Sequence, residues 1–145
     1  MRTTVQDVLT KKGSRVITVS PTSTVYEAIQ TLAANNIGAV LVLDDGRLVG
    51  IVSERDYARQ VILKGKASKE TTVREIMTTT VVSVLPDQSI GECMAIMTEK
   101  RFRHLPVLTG DQLLGILSVG DIVKALLDEQ AFKIEQLESY ISSGG

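Results

Sequence analysis

The sequence predicts an α/β chain of the α+β kind, built from two similar βαββα units with a long helix at the end. Three observations predict it. The segment Val49–Asp56, Val-Gly-Ile-Val-Ser-Glu-Arg-Asp, returns 65 residues later as Leu-Gly-Ile-Leu-Ser-Val-Gly-Asp at Leu114–Asp121. The same offset runs without a gap from Ile17/Val82 to Tyr57/Ile122, and 10 of those 41 pairs are identical. Inside each copy, short β-branched runs alternate with apolar residues at helical spacing. A duplicated unit builds two related surfaces, so a paired binding module is expected before an enzyme with one active site.

The elements follow in order. Val5-Gln-Asp-Val-Leu9 matches Val73-Arg-Glu-Ile-Met77 at an offset of 68, so the first copy carries three extra residues around Lys11–Ser14. Ile17–Val19 reads as a short strand closed by Pro21. Thr24-Val-Tyr-Glu27 and Ser89-Ile-Gly-Glu92 have capping-box spacing. Val25, Ala28, Ile29, Leu32 and Ala33 recur behind the first cap, and Ile90, Cys93, Met94 and Met97 behind the second. Ala39–Leu43 is a continuous apolar run, as for a strand buried on both faces. Asp44-Asp-Gly46 is a hairpin turn, and Leu48–Val52 completes the hairpin. Leu105–Leu108, Thr109-Gly-Asp-Gln and Leu113–Leu117 repeat it. Helices start near Ser53 and Ser118, the first running to about Lys64-Gly65. The last is expected from Val119 to Ile141, with Val123, Leu127, Gln130, Ile134, Leu137 and Ile141 in a heptad-like stripe. Ser142–Gly145 reads as a short flexible tail. The repeats divide at residues 1–66 and 67–145.

Bulk properties narrow the function. The chain has 145 residues, 43% of them hydrophobic, enough for a core. A net charge of −1 and only five aromatic residues give nucleic acid neither a basic face nor a stacking platform. One Cys precludes an internal disulfide and suits a reducing, cytoplasmic setting. No apolar run is long enough for a membrane span, and Met1 to Asp7 has no apolar signal core.

Most of the chemistry lies in Ser53-Glu-Arg-Asp56 and Ser118-Val-Gly-Asp121. Each sits where a buried strand passes into a helix. Free N–H groups there favour an anion, and the Ser hydroxyl adds a donor to a phosphate. The Asp lies in the first turn, and its carboxylate can accept from two ribose hydroxyls. Together they would grip a ribose phosphate, although Ser-x-x-Asp is also a capping box. Gly50 and Gly115 permit close approach to the strand, by a ligand or a packing neighbour. His104 is the only His, so a metal site is not expected. Cys93 is expected to be a packed thiol.

The ordered set of β-branched strand, Pro, capped helix, hairpin and Gly-Ile-x-Ser-x-x-Asp, seen twice, resembles the cystathionine β-synthase (CBS) domain as a stand-alone tandem pair. Val73–Thr78, Arg103-His-Leu-Pro-Val107 and Ile37-Gly-Ala-Val40 also match. The resemblance covers Val5 to about Leu127 and implies two repeats packed as a pseudo-twofold pair. It implies clefts between repeats that hold an adenine nucleotide (AMP, ADP, ATP or NAD), with S-adenosylmethionine less favoured. Ser53 and Ser118 would then contact phosphate, and Asp56 and Asp121 the ribose diol. Thr18-Val19 and Ser83-Val84 would meet adenine through backbone groups. Gly38-Ala39-Val40 and His104-Leu105-Pro106 would line the other wall, with Arg103 and His104 placed toward phosphates. The copies diverge at Gly38/Arg103, Ala39/His104 and Arg55/Gly120, so the clefts should differ in phosphate preference. The expected function is a non-catalytic energy or ligand sensor, a homodimer with a separate downstream protein partner. The alternatives are an interaction module with vestigial clefts or a nucleotide-using enzyme.

Overall fold

The computed structural model describes residues 2–13 and 15–144, with side chains as far as residue 142. Gly145, the last residue of the expected tail, and Ser14, one of the extra residues of the first copy, lie outside the described residues. The chain forms α1 (Val5–Lys12), β1 (Thr18–Val19), α2 (Val25–Asn35), β2 (Ala39–Asp44), β3 (Arg47–Ser53), α3 (Glu54–Tyr57), α4 (Val73–Ile76), α5 (Ile90–Lys100), β4 (His104–Thr109), β5 (Gln112–Ser118) and α6 (Val119–Gly144). The architecture is α+β, as expected.

Two compact units emerge. One holds residues 15–82 and 109–114; the other holds residues 1–14, 83–108 and 115–145. Compact units and sequence repeats are different divisions of the chain, because the short helix that leads each repeat packs with the other repeat. Backbone pairing between helix starts explains why. At the start of α1, Val5 N–H donates to Gln88 O (2.8 Å) and Ile90 N–H donates to Thr3 O (3.1 Å). At the start of α4, Val73 N–H donates to Ser23 O (2.8 Å) and Val25 N–H to Thr71 O (2.8 Å). Helix starts leave donors without intrahelical partners, and here two starts satisfy each other. All four helices α1, α2, α4 and α5 also carry the Thr/Ser and Asp/Glu reciprocal box at their own N-termini.

In the unit of residues 15–82, β1 runs parallel to β2, which pairs antiparallel with β3. Ala39, Val40, Leu41 and Val42 are all buried, so the apolar run is a strand covered on both faces. Val25, Ala28 and Leu32 of α2 join Val40, Val42, Val52, Val61, Val73 and Ile76 in one core; Ala33 points outward. The β2–β3 turn places Asp45 (φ 52°) and Gly46 (φ 79°) in the left-handed region, which favours Gly and Asp. The helix expected from Ser53 to Lys64-Gly65 is not continuous. After α3 it widens into a π-helical turn at Ala58–Ile62, with Val61 fully buried, and it ends at Gly65 (φ 68°).

β4 and β5 form the matching hairpin, whose residues 104–108 and 115–118 belong to the other unit and whose tip, residues 109–114, is counted with the unit of residues 15–82. The strand expected near Val82–Val84 is reduced to one parallel bridge, Val84 to Val107. Pro106 stands where the first copy has Leu41, and without an N–H it cannot extend the ladder. Val5, Leu9, Ile90, Cys93, Leu117 and Ile122 are among the buried core residues. Cys93 is fully buried, and burial pushes its thiol pKa up to about 11, so it packs as an unreactive apolar group. No helix among the described residues is long and apolar enough to cross a membrane.

Candidate functional site

Both Ser-x-x-Asp motifs sit at strand-to-helix junctions. Ser53 ends β3 and Ser118 ends β5. The backbone holds each junction against the wall expected to face it: Glu54 N–H donates to Gly38 O (3.0 Å), and Val119 N–H donates to Arg103 O (2.9 Å). Register does the same, pairing Ala39 with Ser53. The motifs and the segments 38–40 and 103–106 therefore meet within their own units.

At the first junction the capping box is closed. Ser53 Oγ accepts from Asp56 N–H (3.1 Å), and Asp56 Oδ2 accepts from Ser53 N–H (2.9 Å) and Ser53 O–H (3.0 Å). Thr78 O–H donates to Asp56 Oδ1 (3.2 Å). Thr78 is brought there because α4 ends after one turn and the chain then runs extended. Its N–H and C=O pair with Ile51 (2.9 and 3.0 Å). Met77 lies over Gly50, where a Cβ would fall 2.7 Å from Met77 Sδ. Close packing of this neighbour accounts for the glycine. A hollow of about 520 Å³ beside the junction is lined by Ile29, Leu32, Ile37, Gly38, Glu54 and Tyr57, among others.

The second junction is built alike but occupied differently. Asp121 Oδ2 accepts from Ser118 N–H (2.8 Å), and Asp121 N–H donates to Ser118 Oγ (3.1 Å). Lys12 then reaches in from α1. Its ammonium donates to Asp121 Oδ2 (2.6 Å) and to Ile116 O (2.7 Å). Burial pushes the Asp121 carboxyl pKa up, but the Lys12 and Ser118 hydrogen bonds outweigh it and hold the group below its ordinary value of 3.8. His104 is pushed below 6.5, first by burial and then by the cations Lys12 and Arg103, against the pull of Asp121. It is neutral at pH 7. Leu9 lies over Gly115 as Met77 does over Gly50. A cavity of about 370 Å³ between α1 and α6 includes Asp121, Lys12 and Lys124 in its wall; of the residues expected to bind ligand, only Asp121 reaches it.

The remaining expected residues divide by exposure. Arg55, Ser83 and Arg103 are exposed, and Thr18, Val19 and Gly38 are half-buried. The side chains of Val40, Leu105 and Val84 are core, leaving only backbone to face a ligand. For Val84 the backbone is also engaged, donating to Pro106 O (2.9 Å) and accepting from Leu108 N–H (3.0 Å), so contact there would fall to Ser83. Sequence reasoning missed Lys12 and Thr78 as partners of the two carboxylates. The available signal was the three-residue excess around Lys11–Ser14, which lets α1 continue where α4 stops. No group of three or more His, Cys, Asp or Glu suited to a metal occurs among the described residues.

The CBS domain model matches residues 5–62 and again residues 73–128. The mitochondrial CBS domain-containing protein CBSX3 of Arabidopsis thaliana is 35% identical over 151 residues, spanning 98% of this chain and 73% of its own. A protein of Burkholderia ambifaria MC40-6 with CBS domains, assigned to signal transduction, has a TM-score of 0.84 at 50% identity, covering 88% of this chain and 96% of its own. The CBS domain pair of protein MJ0100, solved with 5′-methylthioadenosine and S-adenosyl-L-methionine, has a TM-score of 0.79 at 26% identity, covering 89% of this chain and 99% of its own. With two matched domains in the order and spacing of its internal repeat, the chain belongs to the CBS-domain family as a tandem pair.

Proposed function

We propose that this CBS pair is a regulatory module that binds adenosyl ligands at its two Ser-x-x-Asp helix starts and reports their level to a separate protein. The observation that carries the reading is the twinned junction: a half-buried carboxylate beside a capped helix start, with a backbone wall hydrogen-bonded against it. The reported complex of the MJ0100 pair with 5′-methylthioadenosine and S-adenosyl-L-methionine supports the ligand class. AMP, ADP, ATP and NAD share the ribose that the carboxylates would hold. Signalling follows from linkage, because a ligand that prefers one arrangement of the molecule shifts its population.

The charges at the two junctions differ. Lys12 and Arg103 against Asp121 leave the second junction positive, which suits phosphates. Glu54 and Asp56 against Arg55 leave the first junction negative, which suits an adenosyl group carrying little negative charge. A thermal-shift panel with AMP, ADP, ATP, NAD, 5′-methylthioadenosine and S-adenosylmethionine tests the reading. At least one should raise the melting temperature, less so in Asp56→Ala or Asp121→Ala. No shift from any of the six at millimolar concentration would sink it. One observation favours the interaction-module alternative: both capping boxes are closed internally, and Lys12 already occupies Asp121. That alternative predicts the flat panel.

A further inference from the structure

We infer that the exposed stripe of α6 pairs with the same stripe of a second copy of this chain, as a short parallel two-stranded coiled coil. The inference stands apart from the nucleotide reading. Every described residue from 130 to 142 is exposed, although α6 continues to Gly144. Leu127 (65% exposed), Ile134 (56%), Leu137 (63%) and Ile141 (68%) are large apolar side chains in water. A free helix of this length is marginal in water without tertiary cover. Nor does the chain's own body cover the stripe. At roughly 100° per residue, the α6 residues that line the α1 cavity, from Asp121 to Lys133, centre about 180° from it, with Lys124 and Lys133 at the edges nearest the stripe.

Three features select the occupant. Val123, Gln130 and Leu137 fall at heptad d, and Leu127, Ile134 and Ile141 at a. In the C-terminal part of the stripe Ile134 and Ile141 at a flank Leu137 at d, and β-branched residues at a with Leu at d favour two parallel strands. Gln130 decides orientation. In a parallel pair it meets its own copy, and two amides can hydrogen-bond; in an antiparallel pair it would face Ile134 of the second copy with no polar partner. Charge agrees. Lys133 at g would face Glu138 at e of the second copy, twice by symmetry, whereas the antiparallel pair sets Lys133 against Lys133. Lys133 now reaches Glu129 one turn back at 3.5 Å, an exposed ion pair that is easily exchanged.

The test is the mass of the full chain by sedimentation, with oxidative cross-linking. The wild type should be a dimer at about 100 μM, and Ile134→Asp/Leu137→Asp a monomer with unchanged helical circular dichroism. Gln130→Cys should form a covalent dimer under mild oxidant, while the wild type, with only the buried Cys93, does not. Lys133→Glu should weaken association roughly tenfold, and adding Glu138→Lys should restore it. A monomeric wild type, an unchanged mass for Ile134→Asp/Leu137→Asp, or tighter association of Lys133→Glu would each overturn the proposal. Nucleotide thermal shifts measured on the same variants separate this outcome from failure of the ligand reading.

Discussion

Asp56 and Asp121 occupy the same place in two copies of one motif, yet one carboxylate meets a hydroxyl and the other an ammonium. The cause lies outside the motif. α4 stops at Ile76, so Thr78 is extended, pairs with Ile51 and donates to Asp56. α1 runs on to Lys12, so Thr10 stays within the helix, bonding back to Gln6 O, and Lys12 takes both Asp121 and the Ile116 carbonyl. One extra helical turn thus replaces a backbone pairing with a cation. Duplicated sites diverge here through the length of a neighbouring helix, with the motif itself intact.

The largest expected effect tests whether that cation sets ligand preference. At a hundredfold excess over Kd, ATP should stabilise the protein by about 2.7 kcal/mol. Asp121→Ala should remove most of this and Asp56→Ala little. Equal losses would break the charge distinction. Lys12→Met should weaken ATP binding and strengthen binding of uncharged 5′-methylthioadenosine, by titration calorimetry. Next come the glycines. A Cβ at Gly50 would also fall 3.1 Å from Thr78 O, which the Ile51 pairing fixes, whereas at Gly115 its nearest neighbours are Leu9 side-chain atoms. Gly50→Ala should therefore cost about 2 kcal/mol in denaturant unfolding, and Gly115→Ala less than about 1.

Smaller again is the acid limb. A carboxylate with a depressed folded pKa contributes stability that is complete above its ordinary value, here 3.8, and lost as pH falls through the folded value. Wild type should lose stability more steeply below pH 4 than Lys12→Met. The smallest effect is on His104. Its imidazole should titrate below 6.5 by NMR and move upward in Lys12→Met, because one of the cations holding it down is gone.

Much of this was legible in the residues. The 65-residue repeat located both hairpins and both junctions, since apolar strand runs, turn residues and capping boxes are local signals. The second copy's first strand was overestimated because Pro106 acts on it from a partner strand. The π-helical turn after Tyr57 also escaped, its residues being compatible with an ordinary helix. Lys12 and Thr78 escaped as carboxylate partners because each lies far along the chain from the group it meets, and only the three-residue excess around Lys11–Ser14 marked the difference between the copies.

The exchange of leading helices bears on synthesis. Val5, Gln6 and Thr3 find their partners at Gln88, Pro86 and Ile90, 80 or more residues later. At a ribosomal rate of about 5–20 residues per second, the first helix must wait on the order of ten seconds before those partners are made. Residues 3–6 thus emerge well before the segment they pair with and are among the latest to find their place.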